Sequence, residues 1–322
     1  MSRQDILAYL GADWDRTLAL IRSHLHSDVT LLQDTNDRIL ANTGKLLRPM
    51  ISLLVAKSIA PPTEDSHHYA AASELFHNAT LMHDDVADKA TERRGHPTVA
   101  TLLGPSGAVL VGDYWLARAV DLVVSTDHYG EAIYLYSRTL TELAEGEMLQ
   151  MEKAASGDTT VADYLRIIHC KTAALFCAAA ETGALSVEAS PAQSAAARAF
   201  ADAFGIAFQI KDDILDYAGT DALGKPVGVD LREQKITLPL LGALADSPRE
   251  AEIRRMVREI PSRPEYCDKI RQFVQERRGV DYAIRRLEVW VARAEEALTA
   301  FPDGPAKDFL KEIARYNLWR EV

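Results

Sequence analysis

Residues 74–88 read ELFHNATLMHDDVAD, and residues 205–217 read GIAFQIKDDILDY. Each is an apolar stretch without proline that runs into Asp-Asp-x-x-Asp: Asp84, Asp85 and Asp88 in the first, Asp212, Asp213 and Asp216 in the second. In a helix, acids four apart share a face, so Asp84 pairs with Asp88 and Asp212 with Asp216. Two carboxylates on one face make an all-oxygen site suited to Mg²⁺, which is usually shared between one or two carboxylates and substrate phosphates. Two such sites on separate helices are fitted to clamp one diphosphate. Basic residues follow each motif, Lys89, Arg93 and Arg94 after the first and Lys225 and Lys235 after the second. This hints at a pseudo-repeat, although the similarity is too short to establish a duplication.

Outward from these motifs, nearly every long segment carries a helical signal. Ala, Leu, Glu and Arg abound and β-branched runs are short. Breakers fall at Pro61-Pro62, Gly104-Pro105, Ser156 to Asp158, Ser190-Pro191, Gly219 to Gly228, Ser247-Pro248, Pro261 to Pro264 and Phe301 to Pro305. Ser190-Pro191 marks a helix start, with proline at the first helical position. No run of alternating strands and no low-complexity linker interrupts the pattern. The expected fold is all-α, a single domain over residues 1–322 with ten or more helices.

The 322 residues are 48% apolar and 26% charged, which places the chain among folded globular proteins rather than disordered ones. A net charge of −11 argues against wholesale nucleic-acid binding. Cys170, Cys177 and Cys267 fit neither a disulfide framework nor a zinc pattern and read as small buried residues. Acids near the N-terminus speak against a secretory signal. The most apolar stretch, Ala108 to Val124, carries Asp113, Arg118 and Asp121 and is short for a membrane span, so a buried helix is expected. The expected compartment is the cytoplasm.

The basic residues give the acidic motifs a context. Gly44-Lys45-Leu46-Leu47-Arg48-Pro49 places Lys45 and Arg48 three apart, on one side of a helix start. His77 precedes Asp84 by seven residues, two turns away on nearly the same face. Singly, these residues and Arg93-Arg94 read as solvated charges or a hydrogen-bonded histidine. Together they describe a cationic pocket beside an acidic metal site. Two anionic substrates follow, one held through Mg²⁺ and one held directly by Lys, Arg and His.

These motifs resemble the trans-isoprenyl diphosphate synthases, or polyprenyl synthetases. The likeness runs from Gly44 to Leu241, with a looser continuation to the C-terminus. It rests on GKLLRP at 44–49, ELFHNATLMHDDVAD at 74–88, RRGHPT at 93–98, AVLVGDY at 108–114, HCKTAALF at 169–176, GIAFQIKDDILDY at 205–217 and LGKPVGVDLREQKITLPLL at 223–241. The resemblance implies an isoprenoid-synthase-type helical bundle with a central active-site cavity. It also implies condensation of isopentenyl diphosphate with an allylic diphosphate (geranyl or farnesyl) by ionisation, condensation and elimination.

In that reading three Mg²⁺ hold the allylic diphosphate. Asp84 and Asp88 serve two of them and Asp212 the third, with Asp85, Asp213 and Asp216 as supporting carboxylates. Isopentenyl diphosphate falls to Lys45, Arg48, His77 and Arg94. The allylic diphosphate is contacted at Arg93, Lys171, Thr172, Gln209, Lys225 and Lys235. The carbonyls of Lys171 and Thr172 and the Gln209 amide stabilise the cation by their dipoles. No side chain stands out as a base, so the departing diphosphate takes the proton. Where many relatives have Gly-Gly-Lys-Arg, this chain has Thr43-Gly44-Lys45-Leu46, which loses an arginine but keeps Lys45 and Arg48. Arg320 is a candidate to close over the site from a C-terminus that only loosely resembles the family's basic tail.

The helix ending in the first motif also reads as a ruler, because one helical turn rises about 5.4 Å, near the length of an isoprene unit. Positions 83, 80, 79, 76 and 72 share one stripe. In the family a bulky aromatic five residues before the motif marks short products. Here that position is Ala79, beside Thr80, and the string HNATLMHDDV resembles long-chain members that make quinone side chains. Phe76 lies about 12 Å along the helix from Asp84 and is either a floor at intermediate length or an ordinary core residue. The expectation is a product of about six to ten isoprene units by resemblance, with geranylgeranyl or pentaprenyl diphosphate as the alternative. A class I terpene cyclase has no use for Lys45, Arg48, His77 and Arg94. Regulatory subunits of heteromeric synthases commonly lack one or both acidic motifs, which are intact here. A homodimer is expected, without an integral membrane segment but with transient membrane contact at product release.

Overall fold

A computed structural model describes residues 2–218 and 228–320. Sixteen α-helices and one two-stranded ribbon lie among them, so the all-α expectation holds. The ribbon joins Glu92–Arg93 (β1) to His96–Pro97 (β2), in a stretch for which the sequence predicted no strand. Strands of two residues are too short to show an alternating pattern. The described residues fall into two compact units.

The first unit holds residues 1–137, 178–198 and 300–310. It opens with α1 (Arg3–Leu10), α2 (Ala12–His24), α3 (Thr30–Ala41), α4 (Leu47–Ile59) and α5 (Glu64–Ala87), and continues after the ribbon with α6 (Val99–Val124). α5 starts where Thr63 and Ser66 cap each other. The Thr63 hydroxyl accepts the Ser66 N–H at 3.3 Å, and the Ser66 hydroxyl accepts the Thr63 N–H at 2.9 Å. A cap of this kind contributes about 1 kcal/mol. Ala70, Ala71, Ala72 and Ala79 are fully buried along α5, and such small side chains let a neighbour lie close. Gly112 shows how close α6 comes, since a Cβ there would stand 2.4 Å from the His83 ring. Gly104, at φ 78° before Pro105, kinks α6 without ending it.

The second unit holds residues 138–177, 199–299 and 311–322. It takes in most of α7 (Tyr129–Ser156), then α8 (Val161–Ile168), a π-turn at His169–Ala173 and the start of α9 (Ala174–Leu185). Most of α10 (Pro191–Ala218) follows, beginning at the proline that the Ser190-Pro191 pair predicts. Next come α11 (Val229–Arg232), α12 (Leu238–Leu244), α13 (Glu250–Glu259), α14 (Tyr266–Glu276), α15 (Gly279–Ala297) and the end of α16 (Pro305–Trp319). Phe200, Phe204 and Phe208 recur every fourth residue of α10. Phe204 packs on Phe200 at 6.1 Å, on Phe208 at 6.0 Å and edge-on against Phe176 at 4.9 Å. Asp212 lies one such step beyond Phe208, so the two are neighbours on the helix surface.

Cys170 and Cys177 are buried, Cys267 is half-buried, and all three are free thiols. Among the described residues no helix is long and apolar enough to cross a membrane.

Candidate active site

In the first unit, α5 carries both an acidic end and a basic middle. Asp84 is half-buried, and Asp88 is exposed at the helix C-cap with its N–H donated to the Asp84 carbonyl at 2.8 Å. Asp85 points elsewhere. It is 5% exposed, and Arg93 on β1 donates to its Oδ1 from both Nε and Nη2 at 2.8 Å. The middle acid of the motif is therefore tied to the guanidinium that sequence reading assigned to the allylic diphosphate.

The hairpin that brings Arg93 also places Arg94. Arg94 and Gly95 occupy the two turn positions at φ 55° and 76°, the combination a tight two-residue hairpin demands. The Arg94 guanidinium then lies on Gly44, where a Cβ would stand 2.5 Å from it, and Nη1 donates to the Asn42 carbonyl at 3.4 Å. Lys45 and Arg48 do not share one side of a helix start. Leu46 adopts the left-handed conformation at φ 54° and α4 begins at Leu47, so Lys45 precedes the turn and Arg48 follows it.

Arg48, Arg93 and Arg94 converge electrostatically on His77. Burial, then these three cations, hold its imidazole well below its ordinary pKa, so the ring is neutral. Burial lowers the Arg48 pKa to about 10, with Glu74 opposing and Arg94 reinforcing the shift. The guanidinium therefore stays charged at neutral pH. Glu74, which sequence reading missed, is 4% exposed. Burial pushes its carboxyl up against the pull of Arg48, and Asn78 donates to Oε1 at 2.8 Å. Its only signal in the sequence was an acid three residues before His77, on the same face. Two buried carboxylates, Glu74 and Asp85, among three arginines still leave a net positive pocket, suited to holding a diphosphate by charge-assisted hydrogen bonds.

In the second unit the three motif acids have three different surroundings. Asp212 is half-buried and ion-paired with Arg320 at 2.8 Å. Arg320 is 3% exposed, donates to the Phe208 carbonyl at 2.7 Å and stacks 4.1 Å from the Phe208 ring centre. The C-terminal arginine thus lies on the first acid of the motif. Asp213 is buried. Tyr164 donates its hydroxyl to Oδ2 at 2.6 Å, and the Gln209 amide donates to Oδ1 at 2.9 Å. Gln209 in turn accepts the Thr172 hydroxyl at 2.8 Å, which joins three predicted residues in one chain. Asp216 accepts the N–H groups of Val229 at 3.0 Å and Asp230 at 3.3 Å.

Asp230 is the acid the sequence reading overlooked. Burial, then the nearby Asp216 charge, pushes its carboxyl up to about 7. Asp213 is raised well above the carboxylate range by burial and then by Asp230, and Asp216 is raised by burial. Lys171 pairs with Glu147, and Lys235 with Glu233. Lys225 lies outside the described residues.

Acids driven toward their neutral forms by burial and by one another are a donor set that a divalent cation would ionise and satisfy. Among the described residues no three acidic, imidazole or thiol groups form a ready-made cage.

A polyprenyl synthetase family model matches residues 29–276. The chain belongs to that family. This polyprenyl synthetase is 37% identical to the all-trans-nonaprenyl-diphosphate synthase (geranyl-diphosphate specific) of Rhodobacter capsulatus, over 99% of this chain and 98% of that one. Its fold matches the crystal structure of a decaprenyl diphosphate synthase from Rhodobacter capsulatus with a TM-score of 0.92, at 34% identity over 98% of both chains. It matches equally well a Caulobacter crescentus polyprenyl synthase complexed with calcium and isoprenyl diphosphate, with a TM-score of 0.91 at 35% identity over 100% of this chain and 98% of that one. Like its family, the protein is a trans-prenyltransferase.

Proposed function

We propose that the protein condenses isopentenyl diphosphate with an allylic diphosphate, geranyl or farnesyl, to make long-chain all-trans polyprenyl diphosphates, with residues 1–322 acting as one catalytic domain in the cytoplasm. The observation that carries this reading is that one helix, α5, bears His77 within reach of the Arg48, Arg94 and Arg93 charges and ends in Asp84 and Asp88. One helix thereby serves two anionic substrates, one by direct cationic contact and one through metal-binding carboxylates.

In this reading Arg48, His77, Arg94 and Lys45 hold isopentenyl diphosphate. A neutral His77 acts as a hydrogen-bond partner in a site whose charge comes from the arginines. Asp84, Asp88 and Asp212 are the Mg²⁺ carboxylates, with Asp216 in support, and the bound ions (three by family resemblance) neutralise charge on the leaving diphosphate. Asp85 and Asp213 act one step back, Asp85 by holding Arg93 and Asp213 by holding Gln209. The allylic diphosphate is assigned by family resemblance to Lys171, Lys225, Lys235 and Arg93. The Lys171 and Thr172 carbonyls and the Gln209 amide direct dipoles at the developing cation without offering it a nucleophile. The reading requires Arg320 to leave Asp212 when the metal binds.

The long chain is supported by the names of the similar proteins and by Ala79 and Thr80, which put no bulk near Asp84. Phe76 is 1% exposed and stacks on Tyr136 at 4.3 Å, and the Tyr136 hydroxyl donates to the Tyr69 carbonyl at 3.2 Å. We assign this stack as the floor of the product channel. Homodimer formation is supported by Leu102, Val109, Leu110, Val120 and Val124, large apolar side chains that α6 leaves exposed.

Diphosphate release from farnesyl diphosphate, measured with and without isopentenyl diphosphate and with Mg²⁺ or EDTA, tests the reaction class. Release that needs both Mg²⁺ and isopentenyl diphosphate supports a condensing enzyme. Equal release without isopentenyl diphosphate contradicts it in favour of a cyclase.

A further inference from the structure

The π-turn His169–Ala173 is held from two sides in the second unit. α7 supplies three residues to it. A Cβ on Gly146 would stand 2.5 Å from the Cys170 Cβ and 3.3 Å from Lys171 Cγ, so only glycine allows this approach. Glu147 pairs with Lys171, and Glu142 Oε2 lies 3.8 Å from His169 Nε2. α10 also supplies three. A Cβ on Gly205 would stand 2.5 Å from the Ala173 Cα, Gln209 accepts the Thr172 hydroxyl at 2.8 Å, and Asp202 Oδ1 lies 2.5 Å from His169 Nδ1. Both ring nitrogens of His169 are thus drawn to carboxylates, one on each flanking helix.

A π-turn carries one residue more than the helix around it, and the insertion sets which side chains and carbonyls face outward. Sliding that insertion by one position would rotate Lys171 and Thr172 by about 100°. The two glycines allow the close approach but do not specify a position along the helix axis. The ionic residues of the turn do, with His169 at its first position and Lys171 at its third.

We propose that His169 is a positioning residue, which fixes the register of the π-turn so that Lys171 and Thr172 meet the allylic substrate. The assignment rests on the prenyl-transfer reading above. It adds a residue that touches neither substrate and acts through its neighbours in the turn.

The test compares wild type, His169→Ala, His169→Asn and Asp202→Asn as full chains, with kcat, KM for each diphosphate, melting temperature and hydrogen exchange of amides 169–174 measured for each. The Asn side chain keeps one N–H to offer Asp202. His169→Ala is expected to lower kcat by about tenfold to a hundredfold, the scale of a misplaced contact. KM for isopentenyl diphosphate stays within about twofold, because Arg48, His77 and Arg94 make that site from other residues. His169→Asn returns kcat to within about threefold of wild type, Asp202→Asn falls between the two, and exchange at 169–174 rises only where kcat falls. An unchanged kcat in His169→Ala overturns the assignment. So does a loss that His169→Asn does not rescue and that tracks melting temperature across the set. Wild-type protein without prenyl transfer overturns the underlying reading and this one with it, whereas an active wild type with indifferent variants removes this one alone.

Discussion

Asp85 and Asp213 occupy the middle of the two acidic motifs, and both are buried while the acids around them reach the surface. Each is spent on a protein partner, Asp85 on Arg93 and Asp213 on Tyr164 and Gln209. The outer acids have other surroundings: Asp212 pairs with Arg320 and Asp216 accepts two backbone N–H groups. Helical spacing made the placement of both motifs at helix ends legible in the sequence. The middle partners were not, because they depend on burial and on residues brought in by the tertiary fold. Asp230 escaped for the same reason. Its folded carboxyl holds a proton up to about 7, while an unfolded aspartate releases it at about 4. The folded state therefore binds more protons between those values, and this group's contribution to stability falls as pH rises through that window. Asp230→Asn in metal-free protein should flatten the decline, as read by thermal unfolding from pH 5 to 8; an unchanged slope would count against the cluster. In the first unit, Arg48→Leu should raise KM for isopentenyl diphosphate by about tenfold or more, the loss of a charge-assisted hydrogen bond. KM for the allylic diphosphate should hardly move, and a shift in both alike would contradict the division of the sites.

At the scale of the element, α5 combines functions that would otherwise need several helices. Its apolar residues and its terminal acids follow one 3.6-residue period, which is why the helix was legible although Glu74 within it was not. The hairpin beside it was not, because its four paired residues carry no periodic signal and its geometry depends on Arg94 and Gly95 both adopting positive φ. Lys45 and Arg48 were misplaced on a common helix face because a left-handed leucine gives no warning in a sequence. α5 as a ruler yields a prediction about Phe76. Replacing it by alanine removes the stack on Tyr136 and costs about 3 kcal/mol or more in stability. If the stack floors the channel, Phe76→Ala lengthens the product, as read by chromatography of the dephosphorylated prenyl alcohols. An unchanged length would make Phe76 a core residue only.

For the whole molecule, composition and breaker spacing sufficed for the all-α class, and the ordered motifs sufficed for the family. The division of the described residues into two compact units was not legible, since each unit draws on three separate stretches of chain. The apolar residues exposed on α6 predict that the protein elutes at twice its chain mass in size-exclusion chromatography with light scattering. Leu110→Glu, at the most exposed of them, should shift it toward monomer. The Arg320–Asp212 pair predicts that Arg320→Ala binds Mg²⁺ more readily in calorimetry with a diphosphate present, because the carboxylate no longer exchanges a buried partner. Equal affinity in the two proteins would contradict that competition. The most direct test of the central claim is the size of the product formed from farnesyl diphosphate, labelled isopentenyl diphosphate and Mg²⁺ by the purified chain alone. The account predicts labelled polyprenyl diphosphates of about six to ten isoprene units. No incorporation of label, or incorporation that stops at geranylgeranyl diphosphate, would contradict it.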